Sequence, residues 1–259
     1  MSRLQVEELT RHFPSPEGST VVALDGTTLD IPSGSFTSII GPSGCGKSTL
    51  FNLIAGLDHP TAGRVRLDGE DCTGHQGRVG YMLQKDLLLP WRTILGNVAL
   101  GLEVAGVGRK EREPLARRFL SLYGLGGFED RYPAQLSGGM RQRAALLRTI
   151  LFNRDVILLD EPFGALDALT RAQMQEWLLD LWDDLGKTVV FVTHDVDEAV
   201  YLSDTVYVMS PRPGRVIAKL DVPLDRPRKP SVVTSAQFVE LKRVALGLLG
   251  ERQHEEVAA

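Results

Sequence analysis

The chain has 259 residues, and its 29 Lys and Arg against 33 Asp and Glu give a formal net charge of −4, which argues against a nucleic-acid-binding surface. Its 43% hydrophobic and 24% charged residues exclude a disordered chain. The apolar runs are too short for a membrane-spanning helix, and the first residues do not have the pattern of a signal peptide. The two cysteines, Cys45 and Cys72, are too few for a disulfide framework or a metal cluster. We therefore expect a soluble cytoplasmic protein.

Two patterns in the first 70 residues predict an antiparallel β region. Thr27, Leu29 and Ile31 recur at every second position, as in a half-buried strand. Residues 64–67 form a second strand-like run, and the pair Asp68-Gly69 that follows is a common tight turn. We therefore expect a small antiparallel sheet at this end of the chain.

Three other runs are short, continuous and apolar, at residues 36–40, 156–159 and 189–192. Such runs fit strands that are buried on both faces, as in a parallel sheet covered by helices. The predicted fold class is therefore α/β.

The segment from about residue 85 to residue 152 has helical patterns and no buried-strand run. One apolar stripe in it is Leu115, Phe119 and Leu122. Because the segment separates two sheet-forming parts, about residues 1–84 and 153–222, we interpret it as a helical subdomain inserted into the α/β core.

The C-terminal part begins with a proline-rich stretch, 223–230, which predicts a linker. Thr234 and Gln237 fit a capping box at the start of a last helix. That helix has an apolar stripe made of Phe238, Leu241, Ala245 and Leu248. We divide the chain into one domain at 1–222 and a linker with a helical tail at 223–259.

Residues 41–49 match the pattern Gly-x4-Gly-Lys-Ser, between the run 36–40 and an apolar helix start. This strand–loop–helix context is the one in which such a loop binds phosphate, with backbone N–H groups at a helix N-terminus. Lys47 would reach the β- and γ-phosphates of a nucleotide, and the Ser48 hydroxyl would ligate Mg²⁺. The predicted nucleotide-binding residues of the loop are Gly41, Pro42, Ser43, Gly44, Cys45, Gly46, Lys47, Ser48 and Thr49.

The apolar run 156–159 ends in two adjacent acids, Asp160 and Glu161. They stand at the carboxyl end of a predicted strand, where open α/β sheets place their ligands. We expect Asp160 to hold Mg²⁺ and Glu161 to orient or polarise an attacking water. Two neighbouring carboxylates repel each other, which suits one metal ligand and one base.

A third motif, at residues 136–143, distinguishes this chain from most phosphate-loop proteins. Ser137 is a natural N-cap, and Gly138 and Gly139 open the helix that follows. The result is a second anion site at a helix N-terminus, without a lysine. Two such sites in different subdomains suggest that the loop of one chain faces the Ser-Gly-Gly of a second chain across a shared nucleotide.

These motifs and their order resemble the nucleotide-binding subunits of ATP-binding cassette (ABC) transporters, over about residues 4–222. The resemblance implies a P-loop NTPase core of the RecA-like type. It identifies residues 41–49 with the family's Walker A segment, 156–161 with Walker B and 136–142 with the family signature.

The resemblance also implies roles for single residues. Gln84 matches the Q-loop glutamine, which contacts Mg²⁺ or water near the transmembrane partner, and His194 matches the switch histidine at the γ-phosphate. Asp167 matches the D-loop, which crosses the dimer interface. Phe13 stands where the family has an aromatic residue that stacks on adenine. The implied catalytic residues are thus Glu161, His194, Lys47 and Gln84.

Free-standing cassettes of this size resemble those of bacterial importers. The resemblance implies a homodimer that binds ATP and Mg²⁺ and pairs with two transmembrane permease subunits. A substrate-binding protein would be an indirect partner, through the permease, and no nucleic acid would bind. The chain would then lie at the cytoplasmic face of the inner membrane. The chain resembles cassettes of the nitrate, sulfonate and taurine group at residues 88–92, 160–167 and 210–215. At residues 82–87 it also resembles cassettes assigned to pyrimidine precursors of thiamine. By the same resemblance, the stretch that contains Trp91 helps to form the groove for the permease.

Two other functions stay open at this stage. A small-molecule kinase on a P-loop fold would leave the Ser-Gly-Gly helix start and His194 without a role. A soluble cassette ATPase that acts on DNA or ribosomes usually carries tandem cassettes or coiled-coil insertions and a basic surface.

Overall fold

A computed structural model of the chain describes residues 1–14 and 19–257. Within those residues every helix is either too short or too polar to span a bilayer. The strands are β1 (Leu4–Pro14), β2 (Thr20–Ile31), β3 (Phe36–Ile40), β4 (Ala62–Leu67), β5 (Glu70–Asp71), β6 (Gly80–Met82), β7 (Val156–Asp160), β8 (Thr188–Val192), β9 (Thr205–Met209) and β10 (Val216–Asp221). The helices are α1 (Lys47–Ile54), α2 (Ile94–Val98), α3 (Leu100–Val104), α4 (Arg109–Leu122), α5 (Gly138–Leu151), α6 (Ala168–Leu185), α7 (Val196–Leu202) and α8 (Ala236–Val257).

The N-terminal strands form an antiparallel sheet in the order β2-β1-β4-β5. Asp68 and Gly69 both have positive φ, at 51° and 82°, which is the backbone that a tight turn between β4 and β5 needs. The expected antiparallel β region is confirmed.

The second sheet has the order β10-β9-β3-β8-β7-β6. All neighbours in it are parallel except β10, which runs antiparallel to β9. The strands β3, β7 and β8 are buried along their whole length, which explains why they lack the alternation of a half-exposed strand. The α/β class is confirmed. The carboxyl ends of β3, β6, β7 and β8 meet at one edge of this sheet.

Helices α2 to α5 lie between β6 and β7, which are neighbours in the sheet. The chain therefore leaves the sheet, forms a helical layer and returns to the adjacent position. One detail of the predicted stripe on α4 is wrong, because Leu122 is 63% exposed whereas Ala116 and Leu120 are fully buried. Leu122 lies two residues after Leu120, about 200° further around the helix, so it points away from the core.

The start of the last helix differs from the prediction. Residues Pro230–Thr234 form a 3-10 turn, and the N–H of Phe238 donates to Ser235 Oγ at 3.2 Å. The N-cap of the last helix is therefore Ser235. Thr234 still belongs to the 3-10 turn, so it cannot be the N-cap that a capping box with Gln237 requires. The Gln237 amide donates to the carbonyl of Pro223 at 3.0 Å instead of closing a box.

Residues 223–229 have no helix or strand, but this part of the predicted linker is held in place, because Arg228 is buried there. Its guanidinium donates to the carbonyls of Tyr201 at 2.8 Å and Ser203 at 2.7 Å, at the end of α7. A cation at a helix C-terminus satisfies carbonyls that have no intrahelical partner. Burial lowers the pKa of Arg228 to about 10. The tail is thus fixed to the helix that follows His194.

Candidate functional site

The loop between β3 and α1 has a backbone that its glycines make possible. Gly44 and Gly46 have φ of +77° and +108°, in the left-handed region. A Cβ atom at Gly46 would lie 2.9 Å from the carbonyl oxygen of Ala23, so no side chain fits there. No side chain caps the N-terminus of α1, and its first turn has no acid. Its N–H groups can therefore bind an anion.

Lys47 stands in the first turn of α1 and is only 6% exposed. Its ammonium donates to the carbonyls of Gly41 at 2.8 Å and Pro42 at 3.0 Å, and it lies 3.6 Å from Cys45 Sγ. All three acceptors are neutral, so they orient the ammonium without cancelling its charge. The loop therefore holds a positive charge beside a set of backbone N–H donors, which suits a polyphosphate.

A cavity of about 290 Å³ lies over this loop and brings several predicted site residues together. Gln84, which follows β6, and Glu161, which follows β7, both line it. The complete lining is Ala23, Ser43, Gly44, Gly46, Lys47, Ser48, Thr49, Gln84, Glu161 and Arg212.

Asp160 ends β7 and is 5% exposed. Burial raises the pKa of the Asp160 carboxyl, while the hydroxyls of Ser48 and Tyr81 act in the opposite direction. A carboxylate whose charge burial disfavours gains from a bound cation. The oxygens of Asp160, Ser48 and Gln84 are also the donors that Mg²⁺ prefers. The residues present therefore fit the metal that the sequence predicts.

Within the two described ranges, no group of three or more His, Cys, Asp or Glu side chains could hold a metal ion. Mg²⁺ is usually bound by one or two protein ligands, waters and substrate phosphates. A single carboxylate, Asp160, and the Ser48 hydroxyl are consistent with that mode, in which metal and nucleotide bind together.

Glu161 is the centre of a small polar cluster. Its Oε2 accepts a hydrogen bond from the Gln84 amide at 3.1 Å and lies 3.3 Å from Nδ1 of His194. Glu161 has a φ of 44°, and its N–H donates to the carbonyl of Val192 at 2.9 Å. A left-handed backbone at a non-glycine residue costs about 1 to 2 kcal/mol, and the hydrogen bond to β8 holds Glu161 in this conformation. The structure thus brings Gln84, Glu161 and His194 together.

The Ser-Gly-Gly motif lies elsewhere in the same chain. Ser137 caps α5, where its Oγ accepts from the N–H of Met140 at 3.3 Å, and its side chain is exposed. Gly138 and Gly139 form the first turn of α5, and none of these three residues lines the cavity over the phosphate loop. Asp167 caps α6 by accepting from the N–H of Thr170 at 3.0 Å.

Phe13 lies on β1, opposite Val21. The guanidinium of Arg11 is 4.5 Å from the centre of the Phe13 ring, so one face of the ring already carries a cation. Phe13 is not among the residues that line the cavity. Its contact with adenine stays a prediction.

The sequence interpretation missed two residues of this region, Arg212 and Tyr81. Tyr81 lies on β6 and donates to Oδ2 of Asp160 at 3.4 Å. The sequence signal for this contact is a tyrosine on the strand that neighbours the one ending in Asp160 and Glu161. Arg212 lines the cavity from the loop after β9. From the sequence, the segment 210–215 indicates only which group of importers the chain resembles, and not a contact with the phosphate loop.

A second, larger groove lies where β6 meets α3 and α5. Its volume is about 380 Å³, and it is mostly apolar. The exposed side chains of Leu57, Leu83 and Val104 line it, at 53%, 39% and 71% exposure. Trp91 is 72% exposed but is not part of this lining. Leu83, the first residue after β6, forms part of the wall of this groove, and the contact of the Trp91 stretch with a permease stays a prediction.

Comparison with known sequences gives consistent matches. A family model described as ABC transporter matches residues 24–164. An uncharacterised ABC transporter ATP-binding protein of Methanocaldococcus jannaschii is 48% identical over 247 residues, which cover 95% of this chain and 91% of the relative. A taurine import ATP-binding protein of Rhizobium johnstonii is 46% identical over 263 residues, which cover 99% of this chain and 100% of the relative.

The fold is also similar to solved structures. A dimeric bacterial ABC transporter cassette has a TM-score of 0.74 and 32% identity, and the match covers 86% of this chain and 100% of that chain. The same cassette in a post-hydrolysis state, bound to ADP and Pi, has a TM-score of 0.73 at the same identity. These matches agree with the motifs and with the clustering of Gln84, Glu161 and His194 at the phosphate loop. The chain belongs to the ABC transporter family.

Proposed function

We propose that this chain is the ATP-hydrolysing subunit of an importer. The observation that carries the proposal is that Glu161 and Gln84 line the cavity over the phosphate loop and that Glu161 also contacts His194, which lies outside that lining. A base that lies beside the position of a terminal phosphate can act on an attacking water, and the two residues around it fix its carboxylate.

The loop residues bind and orient the triphosphate, with Lys47 at the β- and γ-phosphates. Ser48, Asp160 and Gln84 would hold Mg²⁺, which neutralises charge on the phosphate oxygens when bound. Glu161 accepts a proton from the water at its carboxylate. In this proposal His194, which contacts Glu161, donates a hydrogen bond to an oxygen of the γ-phosphate.

The second half of the nucleotide site comes from another copy of the chain. Ser137 is exposed and Gly138 and Gly139 are half-buried at the N-terminus of α5, yet all three are outside the cavity of their own chain. A dimer with the two copies head to tail puts these groups on the γ-phosphate of the partner site and brings Asp167 to the interface. The dimeric state of the related solved cassette supports this arrangement.

The groove at β6 and α3 is the proposed contact with the permease. Exposed apolar side chains line it, and one of them, Leu83, directly precedes Gln84 in the chain, so a helix that docks there lies next to a residue of the proposed nucleotide site. The functional unit then has two copies of this chain, two transmembrane permease subunits and a substrate-binding protein outside the membrane. This chain lies on the cytoplasmic face of the inner membrane. The identity with a taurine import protein supports a small sulfonate-like anion as cargo.

The groove assignment is tested by Val104→Glu, compared with Leu122→Glu on α4. Both side chains are exposed, at 71% and 63%, so neither change disturbs the core. We expect Val104→Glu to weaken binding to the permease about tenfold or more, because a charge replaces an apolar contact, while the basal ATPase activity of the isolated subunit is kept.

Leu122→Glu, outside the groove, is expected to bind the permease normally. Co-purification with the permease in detergent and transport-coupled phosphate release in proteoliposomes measure both effects. Equal binding of the two variants would refute the groove as the docking site.

A further inference from the structure

The loop between β9 and β10, residues 210–215, is held by its own hydrogen bonds. The Ser210 hydroxyl donates to the carbonyl of Pro213 at 2.9 Å and accepts from the N–H of Arg215 at 3.0 Å. The N–H of Ser210 also donates to the carbonyl of Arg215 at 2.9 Å. The Ser210 hydroxyl thus connects both ends of the loop, which fixes the backbone positions from which the side chains of the loop extend.

The same loop is fixed to β2 and lies against the phosphate loop. Gly214 donates to the carbonyl of Ala23 at 3.0 Å and accepts from the N–H of Asp25 at 3.1 Å and from Thr27 Oγ1 at 3.0 Å. A Cβ atom at Gly214 would lie 2.1 Å from the carbonyl oxygen of Cys45, so only glycine allows this approach. The loop 210–215 therefore lies directly against the backbone that cradles the phosphates.

Arg212 extends from this loop to the cavity over the phosphate loop. Its Nη2 donates to the carbonyl of Gly44 at 3.2 Å, and its side chain lines the cavity. Among the described residues of that lining, the cationic ones are Lys47 and Arg212 and the acidic one is Glu161. One hydrogen bond uses one of the five N–H donors of a guanidinium, so the others are free for a ligand.

The structure assigns Arg212 a role as a second cation for the phosphate chain of the nucleotide, beside Lys47. This inference rests on the proposed function, since it requires ATP in the cavity. Lys47 is buried and bound by the carbonyls of Gly41 and Pro42, whereas Arg212 is exposed and anchored at one point. An anchored guanidinium loses little conformational freedom when it binds phosphate oxygens, and it binds two of them at once.

The test compares Arg212→Ala with Arg215→Ala, its matched control. Arg215 carries the same charge in the same loop but pairs with Asp25 and does not line the cavity. We expect Arg212→Ala to bind ATP about fivefold to tenfold more weakly, which is typical for one partly exposed charge-assisted contact. The loss of affinity is expected to be smaller for AMP, which has one phosphate. Arg215→Ala is expected to bind ATP, ADP and AMP as the wild type does.

Dissociation constants for ATP, ADP and AMP are measured by competition against a fluorescent nucleotide. A loss for ATP that exceeds the loss for AMP supports the assignment. A loss that is the same for both, or no loss, or an equal effect of Arg215→Ala, would overturn it. The wild-type protein separates this inference from the proposed function, because a wild type that does not bind ATP would contradict the proposed function, whereas the comparison of the two variants tests Arg212 alone. A lower dependence of ATP affinity on salt in Arg212→Ala is a second expected readout.

Discussion

Lys47→Ala should lower ATP turnover by at least about a hundredfold, the usual cost of removing one pre-organised charge from a transition state. The Lys47 ammonium is oriented by the carbonyls of Gly41 and Pro42, and no carboxylate among its hydrogen-bond partners cancels its charge. Its removal leaves the β- and γ-phosphates without that cation. Release of inorganic phosphate from Mg·ATP measures the effect.

Lys110→Ala is the control for this experiment, because Lys110 is exposed on α4, far along the chain from the loop. It is expected to hydrolyse ATP at the wild-type rate, and thermal unfolding checks that both variants fold. Wild-type turnover by Lys47→Ala would refute the role of the loop. A phosphorylated small molecule as product, in place of inorganic phosphate, would instead favour the kinase alternative.

Glu161→Gln should stop hydrolysis but keep ATP binding, so that an ATP-bound dimer accumulates. The amide keeps the shape of the carboxylate, and its oxygen can still accept the hydrogen bond that Gln84 donates at 3.1 Å. It cannot accept a proton from water, which removes general-base catalysis worth about a hundredfold to ten-thousandfold in rate. Sedimentation velocity with Mg·ATP measures the shift from monomer to dimer.

Glu176→Gln on α6 is the control, since Glu176 is an exposed acid outside the cavity. It is expected to hydrolyse ATP normally and to show no stable dimer. If Glu161→Gln stays monomeric at saturating Mg·ATP, or if it turns ATP over like the wild type, Glu161 is not the base that the proposed mechanism requires.

The central strands and the phosphate loop could be predicted because their signals are local. The strands β3, β7 and β8 are buried on both faces, so their sequences are mostly apolar, although β3 also buries Thr37 and Ser38. The loop from Gly41 needs its glycines for its own backbone. In both cases the pattern that predicts the feature lies within one short segment of the sequence.

Other features depend on contacts between residues far apart in sequence. Arg212 reaches Gly44 across 168 positions, and no spacing rule predicts that contact. Arg228 lies in a proline-rich stretch that resembles a linker, yet the carbonyls at the end of α7 bury its guanidinium. The helix cap at Ser235 instead of Thr234 follows from the preceding 3-10 turn, which the residues alone do not reveal.

The central claim is that one nucleotide is held by the phosphate loop of one copy and the Ser-Gly-Gly helix start of another. The most direct test mixes two variants, both with Glu161→Gln, of which one also carries Lys47→Ala and the other Ser137→Arg. In a mixed dimer the two defects fall in the same site, which leaves the second site with an intact Lys47 and an intact Ser137.

Retention of labelled ATP on the separated dimer is the measurement. The account predicts that neither variant alone retains ATP and that the mixture does. Retention by the mixture that equals the average of the two variants measured alone would contradict it, because each chain would then hold its nucleotide by itself.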